Sequence, residues 1–289
     1  MNGGRATGLL MRIYLWIFFI YLFGPLVIMA VATFNSSRFP TVTPWLGTTL
    51  KWFAALAADN QMWDALVVSL IVGAGVIVVS VPIGTGAALM LATMQGRIRT
   101  FLYGVMVSPL LTPGVIIGIS HLVYWDRYFG IHGGIFVLIV AQSSFIIAYV
   151  MLMVMARLQR FDSTLEEAAL DLGASHLQMF RRILLPHLRP SILAASVLAF
   201  LQSFENFNTS LFTRGLDNTL TVYIASKVRT GLTPAVNALG LILIVVTVVG
   251  AVLYEVLRRR ERARAEQARR EALVERPLRR LEAAAVAGS

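Results

Sequence analysis

Long apolar stretches separated by short polar segments set the pattern of this chain. Six of these stretches reach the roughly 20 helical residues that cross a hydrocarbon core about 30 Å thick. We place the spans near Leu10–Thr33, Ala65–Ala92, Phe101–Trp125, Ile135–Ala156, Ser191–Phe212 and Val236–Leu257. None shows the short apolar–polar alternation of a membrane β-barrel strand, so the pattern predicts an all-α polytopic membrane protein with six transmembrane helices.

Composition agrees with that prediction. The chain is 57% hydrophobic and 14% charged, with a mean hydropathy of +0.73. A soluble domain of 289 residues would not tolerate these values on its surface. We divide the sequence into an N-terminal span with its outer loop (1–64), a core transmembrane domain (65–257) and a charged tail (258–289).

The positions of the positive charges predict which ends of the spans face the cytoplasm. With the N-terminus inside, six of the 25 Lys and Arg residues fall on the outer side. These six are Arg38, Lys51, Arg127, Arg214, Lys227 and Arg229. Both termini and the segment between the fourth and fifth spans are therefore predicted to be cytoplasmic. Because the net charge of +10 is concentrated on this face and in the tail, it indicates topology and not a nucleic-acid site.

A polar segment between the fourth and fifth spans carries the signals of two short helices. Ser163, three residues before Glu166, forms a capping-box pattern, and Asp162 adds negative charge at the same helix start. The first helix is therefore predicted to begin near Thr164. It is predicted to end at Gly173, a residue type that suits a left-handed terminating position.

Ser175 followed by Gln178 repeats the capping pattern and predicts the second short helix. The small side chains of Ala168 and Ala169 would let the surface of another protein approach closely. Four larger apolar side chains offer anchors for a groove on such a partner. They are Leu165, Leu172, Leu177 and Phe180. An ordinary linker between two membrane helices is the alternative interpretation.

The predicted third span contains two prolines, Pro109 and Pro113. Each removes a backbone donor, so the helix must bend or open there. Non-helical backbone at membrane depth is tolerated where it lines a cavity, which makes both prolines candidates for a translocation pathway. A purely structural kink is the alternative.

The predicted fifth span carries Glu205 with the amides Asn206 and Asn208 in apolar surroundings. Counted from Ser191 at 1.5 Å per residue, Glu205 lies about 21 Å along the helix, in the outer half of the bilayer. A carboxylate there is costly and faces an aqueous path or a partner. Either these side chains line a pathway that favours cationic or polyhydroxylated cargo, or Glu205 makes a structural hydrogen bond to a neighbouring helix.

The sequence does not show the residue patterns of nucleotide or metal sites. A phosphate-binding loop needs a glycine before its lysine, but Lys51 follows Leu50 and Lys227 follows Ser226. The four histidines are scattered along the chain, and there is no cysteine. We therefore expect no catalytic residue, no metal and no cofactor in this chain. If the chain takes part in ATP-driven transport, the nucleotide must bind to another polypeptide.

One set of residues in the polar segment resembles the cytoplasmic EAA loop of permease subunits of bacterial ATP-binding-cassette importers. The set is Glu167, Ala168, Ala169, Gly173, Ile183, Leu185 and Pro186. Its position between two spans favours this resemblance over the linker interpretation. The likeness covers residues 65 to about 257 and is nearest to polyamine-type permeases. It rests there on residues 108–109, 118–120, 203–205, 221–229 and 233–239.

This resemblance implies a type I importer permease fold in the bacterial inner membrane, with residues 162–189 as the loop that contacts the ATPase. It implies as partners two cytoplasmic ATP-binding subunits, a second permease subunit in a heterodimer, an extracytoplasmic solute-binding protein and membrane lipid. Closure of the ATPases would pull on the segment from Glu167 to Gly173 and switch the cavity from inward- to outward-facing. The cargo would be a small, polyamine-like organic solute moved into the cytoplasm.

Two departures from the polyamine-type pattern leave other cargo open. Such permeases tend to carry an acid where this chain has Gly114, and often a second acid where it has Asn206. Importers of opines, phosphonates, thiamine or ferric iron remain alternatives. So do a membrane-anchored scaffold and an ion-gradient-driven transporter, although the latter would need a relay of intramembrane ionisable groups.

Overall fold

The computed structural model describes residues 3–231, 233–256 and 258–260 of the chain. Its helices are α1 Gly3–Thr33, α2 Lys51–Ala57, α3 Asn60–Thr93, α4 Gly96–Leu111, α5 Gly114–Phe129, α6 Ile135–Leu158, α7 Thr164–Asp171, α8 His176–Met179, α9 Leu185–Phe204, α10 Asn208–Thr213, α11 Leu220–Thr230 and α12 Pro234–Arg260. A π-helical turn, Phe180–Leu184, joins α8 to α9. Most of the predicted tail, from residue 261 onward, lies outside the described residues.

Five helical stretches of the described chain are long and apolar enough to cross a membrane. They are Thr7–Thr33, Asn60–Thr93, Ile135–Leu158, His176–Phe204 and Pro234–Arg260. Helices α4 and α5 meet the same criteria only as a pair, so the number of spans is five, or six if the pair counts as one. The all-α, polytopic prediction is confirmed.

The predicted third span consists of two helices, so the prediction that it bends or opens at its prolines is confirmed. Helix α4 ends at Leu111, α5 begins at Gly114, and the two axes differ by 101°. Pro113 is the physical reason, because it has no N–H to continue α4 and its own carbonyl starts α5 by accepting from Ile116 at 2.9 Å.

The predicted fifth span is wrong at its end. Helix α9 stops at Phe204 instead of residue 212, and α10 begins at Asn208. The side chain of Asn206 causes this second start, since its Oδ1 accepts from the backbone N–H groups of Thr209 at 3.1 Å and Ser210 at 3.3 Å. An asparagine that caps a new helix competes with continuation of the old one.

Helices α3, α6 and α9 form the centre of the larger compact unit, residues 57–232. Small residues allow the close contact, as a Cβ on Gly84 of α3 would lie 2.7 Å from Val150 Cβ of α6. The buried core includes Val72, Val76, Leu91, Leu138, Ile146, Met151, Ala195 and Ala199.

The second compact unit comprises residues 1–56 and 233–289. Its loop after α1 is organised by the buried side chain of Asn35, which donates to the carbonyls of Thr41 at 2.9 Å and Pro44 at 3.0 Å. Helices α1 and α12 meet where Gly240 lies against the Met29 side chain. The predicted division at residues 64 and 257 stays a prediction.

Candidate coupling surface and helix-break site

The first short helix of the polar segment, α7, begins at Thr164 as predicted. Ser163 does not cap it, because its backbone is already helical (φ −64°, ψ −21°) and its side chain makes no cap bond. Asp162 does so instead, accepting from the Thr164 hydroxyl at 2.8 Å and the Thr164 N–H at 3.0 Å. These two hydrogen bonds hold the pKa of Asp162 below its ordinary value. The predicted capping box at Ser163 is therefore wrong.

The turn between α7 and α8 has the predicted geometry. Gly173 adopts a φ of +82°, and its N–H donates to the carbonyl of Leu170 at 2.9 Å. Ser175 and Gln178 then form a complete capping box, with Ser175 N–H to Gln178 Oε1 at 2.9 Å and Gln178 N–H to Ser175 Oγ at 3.3 Å. These local hydrogen bonds define the turn between the two short helices.

This segment has an exposed face and a buried face. Glu167 and Ala168 are exposed, as is Leu172, of which 89% of the surface is exposed. Leu165 and Leu177 are exposed as well. We call these five residues the coupling surface. A large apolar side chain left in water beside a carboxylate is typical of a protein–protein contact.

The buried face joins the segment to the membrane bundle. Ala169, Met179 and Leu184 are buried in the same apolar core as Leu91 of α3 and Met155 of α6. Ala169 therefore points inward, and the interpretation that both alanines face a partner is wrong for Ala169. Displacement of the segment would act directly on the core, because interiors are close-packed.

The rest of the predicted loop lies at the start of α9. Ile183 is half-buried against the core, whereas Leu185 and Pro186 are exposed. The π-helical turn ends here, with Leu185 N–H donating to the carbonyl of Phe180. Pro186 cannot donate to a preceding carbonyl, and a wider turn is one way to accommodate such a defect.

Two hydrogen bonds fasten the start of α9 to the end of α6. Arg157 Nε donates to the carbonyl of His187 at 3.1 Å, and Ser191 Oγ donates to the carbonyl of Met153 at 2.9 Å. Movement of the coupling surface therefore reaches α6 as well as α9.

The helix breaks at Pro113 and Asn206 meet in space. Thr209 Oγ1 of α10 donates to the carbonyl of Gly114, the first residue of α5, at 3.2 Å. One turn further, a Cβ on Gly118 would lie 3.0 Å from the Thr209 carbonyl oxygen, so only a glycine fits without displacement. Two broken helices thus share one contact, an arrangement typical of transport pathways.

A buried glutamine bridges the α9–α10 break from α6. Gln142 has no exposed surface; its Oε1 accepts from Ser203 Oγ at 2.5 Å and its Nε2 donates to Ser210 Oγ at 2.9 Å. Ser210 Oγ in turn donates to the carbonyl of Asn206 at 2.7 Å. The sequence analysis missed Gln142, although an amide within an apolar helix was a signal.

The predicted pathway residues have different surroundings. Glu205 is exposed at the end of α9 and accepts from Gln202 of its own helix at 3.1 Å. Of the two alternatives for this residue, the hydrogen bond to a neighbouring helix is absent among the described residues. Asn206 is occupied in capping α10. Asn208 is exposed beside Gly114.

The two prolines lie on the two sides of the α4–α5 break. Pro113 is exposed at the start of α5 and adjoins the α10 contact through Gly114. Pro109 is half-buried one turn before the break, where its carbonyl accepts from Thr112 at 3.3 Å. The structure therefore brings Pro113, Asn206 and Asn208 together, with Pro109 at the margin.

An ion-pair cluster between the start of α3 and helix α11 was also missed. Asp59 Oδ2 accepts from Tyr223 Oη at 2.8 Å and lies 3.0 Å from Lys227 Nζ. Burial acts to raise the pKa of Asp59, but bonds from Lys227, Tyr223 and the N–H of Met62 outweigh it, so that pKa lies below its ordinary value. Burial and the adjacent Asp59 raise the pKa of Tyr223.

Comparisons with known proteins agree with this architecture. Residues 80–263 match the family model described as "Binding-protein-dependent transport system inner membrane component". The chain is 34% identical over 262 residues to the putrescine transport system permease protein PotI of Escherichia coli K12, covering 85% of this chain and 90% of that protein. It is 32% identical over 260 residues to the spermidine/putrescine transport system permease protein PotC of the same strain, covering 90% and 94%.

Solved structures show the same fold. A bacterial transporter involved in import of the polysaccharide alginate matches with a TM-score of 0.66 at 15% identity, over 90% of this chain and 98% of that one. The MetNI methionine transporter in inward-facing conformations matches with a TM-score of 0.52 at 18% identity, over 70% and 93%. The chain therefore belongs to the family of binding-protein-dependent transport system inner membrane components, and it is the membrane-spanning permease subunit of an ATP-binding-cassette importer.

Proposed function

We propose that the solute carried by this permease is a polyamine. The observation that supports this most directly is the identity of 34% and 32% to relatives named for putrescine and spermidine/putrescine transport, across at least 85% of the chain. Glu205, exposed at a helix break, has the charge that a polycation requires. The relatives' names are the stronger argument, because one carboxylate does not distinguish among cations.

The subunit does not bind nucleotide itself under this proposal. Two ATP-binding subunits associate with the coupling surface in the cytoplasm, and a solute-binding protein delivers cargo at the opposite end. A second, different permease subunit completes the pathway. Both termini face the cytoplasm, as the distribution of Lys and Arg predicts.

The coupling surface and its buried face suggest how the ATPases act on the pathway. Force applied at Glu167 and Ala168 passes through Ala169 and Leu184 into the core shared by α3, α6 and α9. Helix α9 ends at the break that Gln142 bridges. Rotation of α9 would thus change the contact between the two broken helices, where we place the pathway.

The ATPase contact is tested by co-purification of the permease with its ATPase subunit. Glu167→Arg reverses an exposed charge on the coupling surface and is expected to reduce the retained ATPase at least tenfold. Gln159→Arg is the matched control, because Gln159 is exposed in the loop before α7 and lies outside the coupling surface. Equal retention in both variants would contradict the proposed contact.

The cargo is tested separately on the solute-binding partner. Its thermal unfolding is measured with putrescine, spermidine, an opine, a phosphonate, thiamine and ferric iron. A rise in midpoint restricted to the polyamines, together with uptake of labelled putrescine by the complete importer, is expected. A rise with one of the other solutes alone would replace polyamine by that solute and leave the importer role intact.

A further inference from the structure

A basic cavity of about 320 Å³ lies where the end of α6 meets the first turns of α9. Its lining consists of Ala156, Arg157, Arg160, Pro190 and Ser191. Two of these five residues carry a positive charge and none carries a negative one. The cavity therefore favours an anionic ligand.

The guanidinium group of Arg157 is fixed but incompletely bonded. Its Nε donates to the carbonyl of His187 at 3.1 Å, which holds the planar group in one orientation. In the described part of the chain, no carboxylate lies within ion-pair distance of Arg157 or Arg160. A half-buried guanidinium with free N–H donors is well suited to a bidentate oxyanion such as phosphate.

Ser191 lines the cavity but has no free hydroxyl proton to donate to a ligand. Its hydroxyl proton is used by the carbonyl of Met153 at 2.9 Å, so the free donors at this cavity belong to the arginines. Pro190 has no N–H. The ligand is consequently recognised through its charge and oxygen atoms by two side chains from one helix end.

An apolar stripe leads away from the cavity along α9. It consists of Leu193, Val197 and Leu201, which are 58%, 60% and 53% exposed and recur at helical spacing. These residues lie in a stretch apolar enough to cross a membrane. Arginines in the cavity, followed by an exposed apolar stripe further along helix α9, match the two parts of a phospholipid better than they match a soluble anion.

We propose that this cavity binds the phosphate group of an anionic phospholipid. Arg157 and Arg160 contact the phosphate oxygens, and an acyl chain lies along Leu193, Val197 and Leu201. In the orientation given under the proposed function, this site lies in the cytoplasmic leaflet. The site itself depends on neither that orientation nor the cargo. Because Arg157 also holds the carbonyl of His187 at the start of α9, bound lipid stiffens the joint that carries the coupling surface.

The site is tested on the purified, delipidated importer complex by thermal unfolding. Dioleoylphosphatidylglycerol, dioleoylphosphatidylcholine and inorganic phosphate are each titrated. Phosphatidylglycerol is expected to raise the unfolding midpoint. In the Arg157→Gln, Arg160→Gln double variant, the same rise should need about tenfold more phosphatidylglycerol. Arg258→Gln with Arg260→Gln is the matched control, since it removes the same charge from exposed positions of α12 and should titrate like the unaltered complex.

Two further variants keep the test decisive if the double variant does not assemble. Arg157→Lys retains the charge but loses the planar fork, and Arg160→Gln removes only the exposed arginine; each should weaken the lipid effect. An equal midpoint rise with inorganic phosphate would make this a soluble-anion site and overturn the lipid proposal. A lipid titration that is the same in all cavity variants as in the unaltered complex would also overturn the proposal. If those variants also lost the ATPase subunit, the arginines would be assigned to a protein contact.

Discussion

Lys227 Nζ lies 3.0 Å from Asp59 Oδ2 and thereby ties α11 to the first turn of α3. Both side chains are mostly buried, with 32% and 24% of their surface exposed. Tyr223 Oη shares the same carboxylate oxygen at 2.8 Å. Since Asp59 also caps α3 through its bond to the N–H of Met62, one carboxylate determines both where α3 begins and where α11 lies.

This relationship predicts a pH-dependent stability. The pKa of Asp59 is lower in the folded protein than in the unfolded chain, so its contribution is complete above the unfolded value of about 3.9 and is lost as pH falls through the folded value. Asp59→Asn should therefore lower the free energy of unfolding at pH 7 by about 1 kcal/mol, because the pair is partly screened by solvent. The difference in free energy of unfolding between Asp59→Asn and the unaltered protein should become smaller below about pH 4.

The measurement is thermal unfolding in detergent between pH 3 and pH 8. Lys227→Met should give a loss of similar size, and the double variant should lose less than the sum because the two residues interact. If the stability difference between Asp59→Asn and the unaltered protein stayed constant across the whole pH range, a role for the Asp59 charge would be contradicted.

The buried amide of Gln142 predicts a larger stability loss. Gln142→Ala removes the partners of Ser203 and Ser210 and leaves a cavity, so the free energy of unfolding should fall by about 2 kcal/mol or more. The neighbouring Ser143 is the control, because its buried hydroxyl has no hydrogen-bond partner in the described structure. Ser143→Ala should stay within about 0.5 kcal/mol. Equal losses in the two variants would show that burial matters here and hydrogen bonding does not.

The contact between the two broken helices predicts that Gly118 is intolerant of substitution. Gly118→Ala places a methyl group about 3.0 Å from the Thr209 carbonyl oxygen and should cost about 1–3 kcal/mol by overpacking. Gly104→Ala is the control, since a Cβ there has no neighbour within 4 Å. It should be neutral or slightly stabilising. Transport assays of both variants would show whether the α5–α10 contact also limits uptake; a loss in Gly104→Ala alone would contradict this account.

Local patterns were sufficient for much of this architecture. Hydropathy located four of the six predicted spans as single long helices. The glycine and capping signals at Gly173, Ser175 and Gln178 correctly predicted the turn of the polar segment. These features depend on residues close in the sequence. The end of α9 was harder to predict from the sequence. Asn206 cannot be distinguished from any other polar residue of a span until its hydrogen bonds to Thr209 and Ser210 are known.

The pairings that hold the helices together could not be predicted in this way. Tyr223 and Asp59 are 164 residues apart, and Gln142 and Ser203 are 61 apart. Such contacts depend on how the helices rotate and slide against each other, which the period of one helix does not determine. The inward direction of Ala169 is a similar case, because both faces of α7 contain small or apolar residues.

The turn at Gly173 gives the most direct test of the coupling surface. Its φ of +82° is a left-handed conformation that costs alanine about 1 kcal/mol but that asparagine tolerates better. Gly173→Ala is expected to shift Leu172 and Glu167 relative to the ATPase, lowering both ATPase retention and transport-stimulated hydrolysis, while Gly173→Asn retains both. Asparagine adds more bulk than alanine, but the position is open, because a Cβ there would meet nothing within 4 Å. A difference between them therefore reports backbone geometry and not steric obstruction, whereas equal loss in both would assign the effect to the added side chain.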